Sequence, residues 1–153
     1  PHRQERIPVA EGETEGTIVE NRVPLIAIPV LPGGLELWQG SRCVLPEAAL
    51  CLEGLPNAIE KNAGVILFID QISDGIATLA MLQRLQDLGV DGQRLRLVTA
   101  LCASPGLKRL GEAVPDLTLH TACIDAELNS AGAIVPGIGD PLQRLNFRAG
   151  TRV

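Results

Sequence analysis

The chain is nearly without aromatic residues: of 153 positions only Trp38, Phe68 and Phe147 carry an aromatic ring, and tyrosine is absent. Single-strand nucleic-acid binders stack bases on such rings, so that function class has no platform here. Basic residues are also sparse and dispersed, 13 Lys and Arg against 18 Asp and Glu for a formal net charge of −5. No nucleic-acid partner is expected from such a surface. No stretch reaches the roughly 18 consecutive apolar residues of a membrane span, and the first residues lack the apolar core of a signal peptide. The four cysteines, Cys43, Cys51, Cys102 and Cys123, include no CxxC pair and no neighbouring histidine. That usage reads as buried or free thiols in a reducing, cytoplasmic setting rather than as a zinc site. Neither a Ser-His-Asp spacing nor a GxSxG elbow is present, which leaves hydrolase chemistry unsupported.

What is abundant is aliphatic sequence, 46% apolar overall, enough for one ordinary globular domain. Residues 1–22 are charged, show no period and read as a polar arm; the domain proper is expected over 23–153. Leu25-Ile26-Ala27-Ile28-Pro29-Val30 is a continuous apolar run of the kind buried on both faces of a parallel sheet. A helix is expected from Gly33 to about Val44, a short strand over 48–52 and a further strand over 65–69. Ile76, Leu79, Ala80, Leu82, Leu85 and Leu88 recur at helical spacing, with Gly89 where a left-handed C-terminal residue belongs. Strands over 95–101 and 117–124 flank a helix whose start reads Ser104-Pro105, in the preferred N-cap and first-turn order. Strands alternating with helices give an α/β fold, doubly wound, with a mostly parallel sheet flanked by helices. Ligands of such folds sit beyond the carboxyl ends of the strands.

Three aspartates stand where strands are expected to stop: Asp70, Asp125 and Asp140. Together they would line one crevice and could hold Mg²⁺ or ribose hydroxyls; individually each could be a helix cap or a turn former. The segment Asp70-Gln71-Ile72-Ser73-Asp74-Gly75-Ile76-Ala77 has the strand-turn-helix outline of a phosphate loop, yet holds one glycine and a second carboxylate. Gly137-Ile138-Gly139 is a backbone-exposing loop without the third glycine of a dinucleotide fingerprint. His120 lies in the alternating run 117–121 and reads as structural or solvated rather than catalytic.

Residues 96–110, 112–117, 121–129 and 132–140, the last reading Gly-Ala-Ile-Val-Pro-Gly-Ile-Gly-Asp, together resemble the carboxyl half of uracil phosphoribosyltransferases. The likeness extends more loosely through 24–55. It implies a type I phosphoribosyltransferase fold lacking the family's amino-terminal helices and flexible hairpin, usually dimeric. It further implies pyrimidine salvage chemistry, in which uracil and phosphoribosyl pyrophosphate give UMP with Mg²⁺ as cofactor. By position, Ile134 and Gly139 would offer backbone hydrogen bonds to uracil and Pro141 a carbonyl, while Asp140 would face the ribose and any metal.

Against the family's Asp-Pro-Met-Leu-Ala-Thr-Gly-Gly-Ser, the phosphate loop here keeps Asp70 but is one residue shorter. Asp74 stands for the threonine and Ile76 for the second glycine. A carboxylate about 4 Å from a phosphate charge costs roughly 1 kcal/mol in water-like surroundings and about 4 kcal/mol at an effective dielectric near 20. The family's Arg-Ala-Gly-Leu reads Pro32-Gly33-Gly34-Leu35, and the arginine-bearing hairpin after Leu55 is missing; each lost charge-assisted contact is worth about 1.5 to 3 kcal/mol. The reading is therefore a homologue that keeps the base pocket, is impaired as a transferase, and acts as a nucleobase- or nucleotide-binding, regulatory or structural protein, as a homodimer or part of a larger assembly. The alternatives are a working transferase with a rearranged turn, and a scaffold without a small-molecule site.

Overall fold

The structure is a computed structural model that describes residues 2–19 and 23–145. Residue 1, residues 20–22 and residues 146–153, with Phe147 and the outer ends of the expected arm and domain, lie outside the described residues. The segment expected as an aperiodic arm forms an antiparallel hairpin, β1 (His2–Val9) and β2 (Gly12–Val19), closed where Val9 faces Gly12. Sequence period missed it for a physical reason. Alternation is imposed only when one face of a strand is buried, and Arg6, Pro8, Val9, Glu13 and Glu15 are all exposed.

The domain is built on a five-stranded parallel sheet in the order β4 (Ala49–Leu50), β3 (Leu25–Pro29), β5 (Gly64–Ile72), β6 (Leu95–Ala103) and β7 (Thr118–Asp125). Side chains of β5 alternate between two cores, as the pleat requires. Val65, Leu67 and Ile69 face Leu82, Leu85 and Leu110, carried by α2 (Ile76–Asp87) and α3 (Ser104–Ala113). Ile66 and Phe68 face Trp38 of α1 (Gly33–Ser41). Helices therefore cover both faces, as expected of a doubly wound sheet. Trp38 and Phe68, two of the chain's three aromatic residues, meet edge to face with ring centroids 5.6 Å apart.

Close approach at two glycines sets the carboxyl end of the sheet. A Cβ on Gly34 would collide with the carbonyl of Phe68, its carbon only 2.9 Å away, and one on Gly33 would lie 2.7 Å from Cγ of Asp70. Alanine at either position would push α1 off β5. Helix α2 ends as its sequence predicts: Gly89 takes φ +83° and its N–H donates to Gln86 O at 2.8 Å. The start of α3 differs from expectation. Ser104 lies inside the helix, Ala103 holds the cap position, and Ser104 Oγ donates instead to Asp125 O at 3.2 Å. The serine ties α3 to β7 rather than closing its own first turn.

A short antiparallel pair, β8 (Glu127–Leu128) with β9 (Ile134–Val135), and a final turn of helix, α4 (Pro141–Arg144), follow β7. No helix among the described residues is long and apolar enough to cross a membrane.

Candidate functional site

Asp70 does not stand after a strand; it is inside one. β5 continues through Ile72 because Gln71 and Ile72 still pair with Leu101 and Cys102, and the Thr99 hydroxyl donates to Asp70 O at 3.3 Å. The ladder omits one pair, Asp70 with Ala100, and on the other side of β6 it omits Ala100 with Ala122. At that gap opens a cavity of about 250 Å³ lined by Asp70, Ala100, Gly33, Leu37, Ile138 and Pro141, with Glu36 and Arg144 on its charged margin. It lies at the carboxyl ends of β3, β5 and β6, where doubly wound sheets place their ligands. A larger hollow of about 490 Å³ sits at the opposite, amino ends of the strands. Its Arg94 is committed to structure, donating to the carbonyls of Glu60, Lys61 and Gly89.

The three aspartates do not form a triad. Among the described residues no three His, Cys, Asp or Glu side chains are grouped to hold a metal ion. Asp70 lines the cavity, its Oδ1 accepting from Gln71 N at 2.8 Å. Asp125 accepts from Gly137 N at 2.8 Å through Oδ2, tying the glycine loop to the end of β7. Asp140, the expected metal residue, is the N-cap of α4 and accepts from Leu142 N at 2.9 Å. Capping, the alternative open in the sequence, describes Asp140; a charge-assisted loop tie describes Asp125.

The base loop is drawn tight by its glycines. Gly137 takes φ +65° and Gly139 φ +73°, and a Cβ on Gly137 would stand 3.1 Å from the carbonyl carbon of Ile134. Ile134 is buried and pairs with Leu128. Pro141 is buried and its carbonyl already accepts from Leu145 N at 2.9 Å, leaving one lone pair. Ile138 and Gly139 make no hydrogen bond among the described residues, so their N–H and C=O groups are open beside the cavity.

The expected phosphate turn is shorter than its eight residues. Asp70, Gln71 and Ile72 are strand, Ile76 and Ala77 are helix, and only Ser73, Asp74 and Gly75 bend the chain between them. Gly75 takes φ +75°, with Gly106 packed beneath it. At the amino end of α2, a natural anion receptor, the first N–H is already taken: Asp74 Oδ1 accepts from Ile76 N at 3.0 Å.

Glu36, Ala100, Arg144 and Leu145 were not marked by sequence. Glu36 follows the visible signal Gly33-Gly34 by two residues, and Arg144 is four residues beyond Asp140. Arg144 is thus one helical turn from a marked residue, a spacing that could have found it; Glu36 stands in no such relation to a marked site residue.

A family model for uracil phosphoribosyltransferase matches residues 46–146. The chain belongs to the uracil phosphoribosyltransferase family. It is 34% identical to a uracil phosphoribosyltransferase of Synechococcus elongatus, over 88% of this chain and 69% of that protein. A chloroplastic uracil phosphoribosyltransferase of Arabidopsis thaliana is 28% identical over 84% of this chain, which spans only 49% of that relative. A solved structure of an Aquifex aeolicus protein superimposes with TM-score 0.74 over 99% of this chain and 78% of its own, at 21% identity, a likeness of fold. Family membership agrees with the strand-helix order and the parallel sheet.

Proposed function

We propose that this member of the uracil phosphoribosyltransferase family binds a pyrimidine at the loop Ile134, Gly139, Asp140 and Pro141 but engages phosphoribosyl pyrophosphate weakly, and acts through binding rather than efficient transfer. The observation that carries this reading is the Asp74 carboxylate on Ile76 N at 3.0 Å. An incoming phosphate must displace that carboxylate and then sit beside its charge. Ile76 adds a β-branched side chain where backbone would approach an anion.

The base half is favoured by the open backbone groups of Ile138 and Gly139 next to an apolar cavity wall. Asp125 preorganises that loop through Gly137 N, so base binding requires little rearrangement. If phosphoribosyl pyrophosphate does bind, its Mg²⁺ would come with Asp140 only after that residue surrendered its cap. Four free cysteines support a reducing, cytoplasmic location. The hairpin β1–β2 packs on no other described element extensively, which supports a homodimer or a larger assembly, since a lone two-stranded hairpin is marginal in water.

The test is a radiolabelled uracil assay with Mg²⁺ and phosphoribosyl pyrophosphate, paired with calorimetry of uracil binding on the same preparation. Uracil binding with UMP formation at background is the expected result. UMP formation at a steady enzymatic rate would establish the active-transferase reading, and the absence of any saturable uracil binding would leave the scaffold reading.

A further inference from the structure

Of the three helices that begin at the cavity's strand ends, α1 and α2 bring a carboxylate and α3 does not. Asp74 takes the amino end of α2. In α1 the first-turn acid is Glu36, and it lines the cavity itself. A helix amino terminus attracts anions because its partial positive charge is unsatisfied; a carboxylate in or beside the first turn opposes that attraction by its charge. Glu36 makes no hydrogen bond or ion pair among the described residues, so its oxygens are available to a ligand. Asp70 likewise engages only Oδ1, and Oδ2 is without a partner among the described residues. The one cation at the cavity, Arg144, sits toward the base loop, its Nε 3.7 Å from where a Cβ on Gly139 would lie. It cannot serve both ends of a ligand.

Resting on the base-binding reading above, we infer that the cavity takes an uncharged pyrimidine nucleoside, the base with its ribose and no phosphate, and that Glu36 discriminates against the nucleotide. The base lies against the apolar wall of Leu37, Ala100 and Ile138, its edge toward Ile138 and Gly139 backbone. Hydroxyl groups of the sugar donate to Glu36 and Asp70, as charge-assisted hydrogen bonds of the stronger class. A 5′-phosphate in the same place meets the two cavity carboxylates, Glu36 and Asp70. The volume, about 250 Å³, is a little under the roughly 300 to 1,000 Å³ of ordinary small-molecule sites, in keeping with a ligand of nucleoside size.

Calorimetric titration of the intact chain with uracil, uridine and UMP, at low salt and at 0.15 M salt, tests this. Uridine is expected to bind at least tenfold more tightly than UMP, about 1.4 kcal/mol. Added salt should tighten UMP by screening the repulsion and leave uridine unchanged. Glu36→Gln, an isosteric change at an exposed position, should narrow the uridine-to-UMP ratio about fivefold, mainly by improving UMP. UMP binding equal to or tighter than uridine overturns the inference, as does binding of uracil alone. A ratio unmoved by both salt and Glu36→Gln overturns the role of Glu36. Failure of all three ligands to bind overturns the base-binding reading as well, so the two failures are distinct.

Discussion

Asp74→Asn separates charge from shape at the amino end of α2. Asparagine keeps an Oδ1 able to accept from Ile76 N, now at 3.0 Å from the carboxylate, and removes only the charge. The terminal phosphate groups of a phosphoribosyl pyrophosphate carry close to two charges each at neutral pH. A carboxylate about 4 Å from each unit of that charge costs about 1 kcal/mol in water-like surroundings, and Ile76, 57% exposed, shows that the turn is wet. The repulsion removed is then about 2 kcal/mol, a gain of roughly 10- to 30-fold in affinity. Stability should move the other way, since a carboxylate at a helix amino terminus contributes about 0.3 to 1 kcal/mol. Calorimetry of phosphoribosyl pyrophosphate with Mg²⁺ and a urea melt of each protein supply both numbers. A variant that melts slightly earlier and binds no better would refute the resident-anion argument, because the only thing changed is the charge that argument depends on.

Asp125→Ala should release the glycine loop from β7 and weaken uracil binding by about 1.5 to 3 kcal/mol, the worth of a charge-assisted hydrogen bond; calorimetry at matched fold content reads it. Gly106→Ala should destabilise the fold by about 1 to 3 kcal/mol through overpacking, because its Cβ would run into the Ser73 carbonyl and stand 3.2 Å from Gly75 N; a denaturant midpoint no lower than that of the parent would count against the packed turn. Burial pushes the Cys102 thiol above its ordinary value of 9.0, opposed in part by a backbone hydrogen bond from Leu107. A raised thiol pKa favours the neutral form in the folded state, so its contribution is whole below the unfolded value and is lost as pH rises through the folded one. The stability difference between the parent and Cys102→Ala should therefore shrink from pH 8 to pH 10 in urea melts, and a constant difference would contradict it.

The strands were legible because their physics is local. Residues 65–69 form a run of aliphatic and aromatic side chains that both cores need, and no other element buries such a run so briefly. The end of that strand was not legible, because apolar content stops at Ile69 while pairing does not. Gln71 pairs with Leu101 and the Thr99 hydroxyl holds Asp70 O, and both partners lie some thirty positions away in sequence. Asp140 carried two readings in the sequence, cap and ligand residue, and the hydrogen bond to Leu142 N that makes it a cap became visible only in the fold. The hairpin was hidden by the opposite condition: with neither face buried over residues 4–17, the chain there had no reason to alternate.

The charge at the site was the least legible feature, because it is assembled from residues that sequence order keeps apart. Asp74 could be seen as a departure inside a phosphate loop. Glu36 could not, since nothing before the fold brings it to the cavity that Asp70 lines. Once it is there, the two carboxylates have one meaning. Replacing a threonine by Asp74 alone would leave α1 free to attract an anion, and a bare acid in α1 alone would leave α2 free. Both α1 and α2 carry a carboxylate near their amino ends, so an anionic ligand is opposed at each of them, whereas α3, which starts at the end of β6, carries none. One such carboxylate would tune affinity; Glu36 and Asp74 together, with Asp70 in the cavity, favour an uncharged ligand.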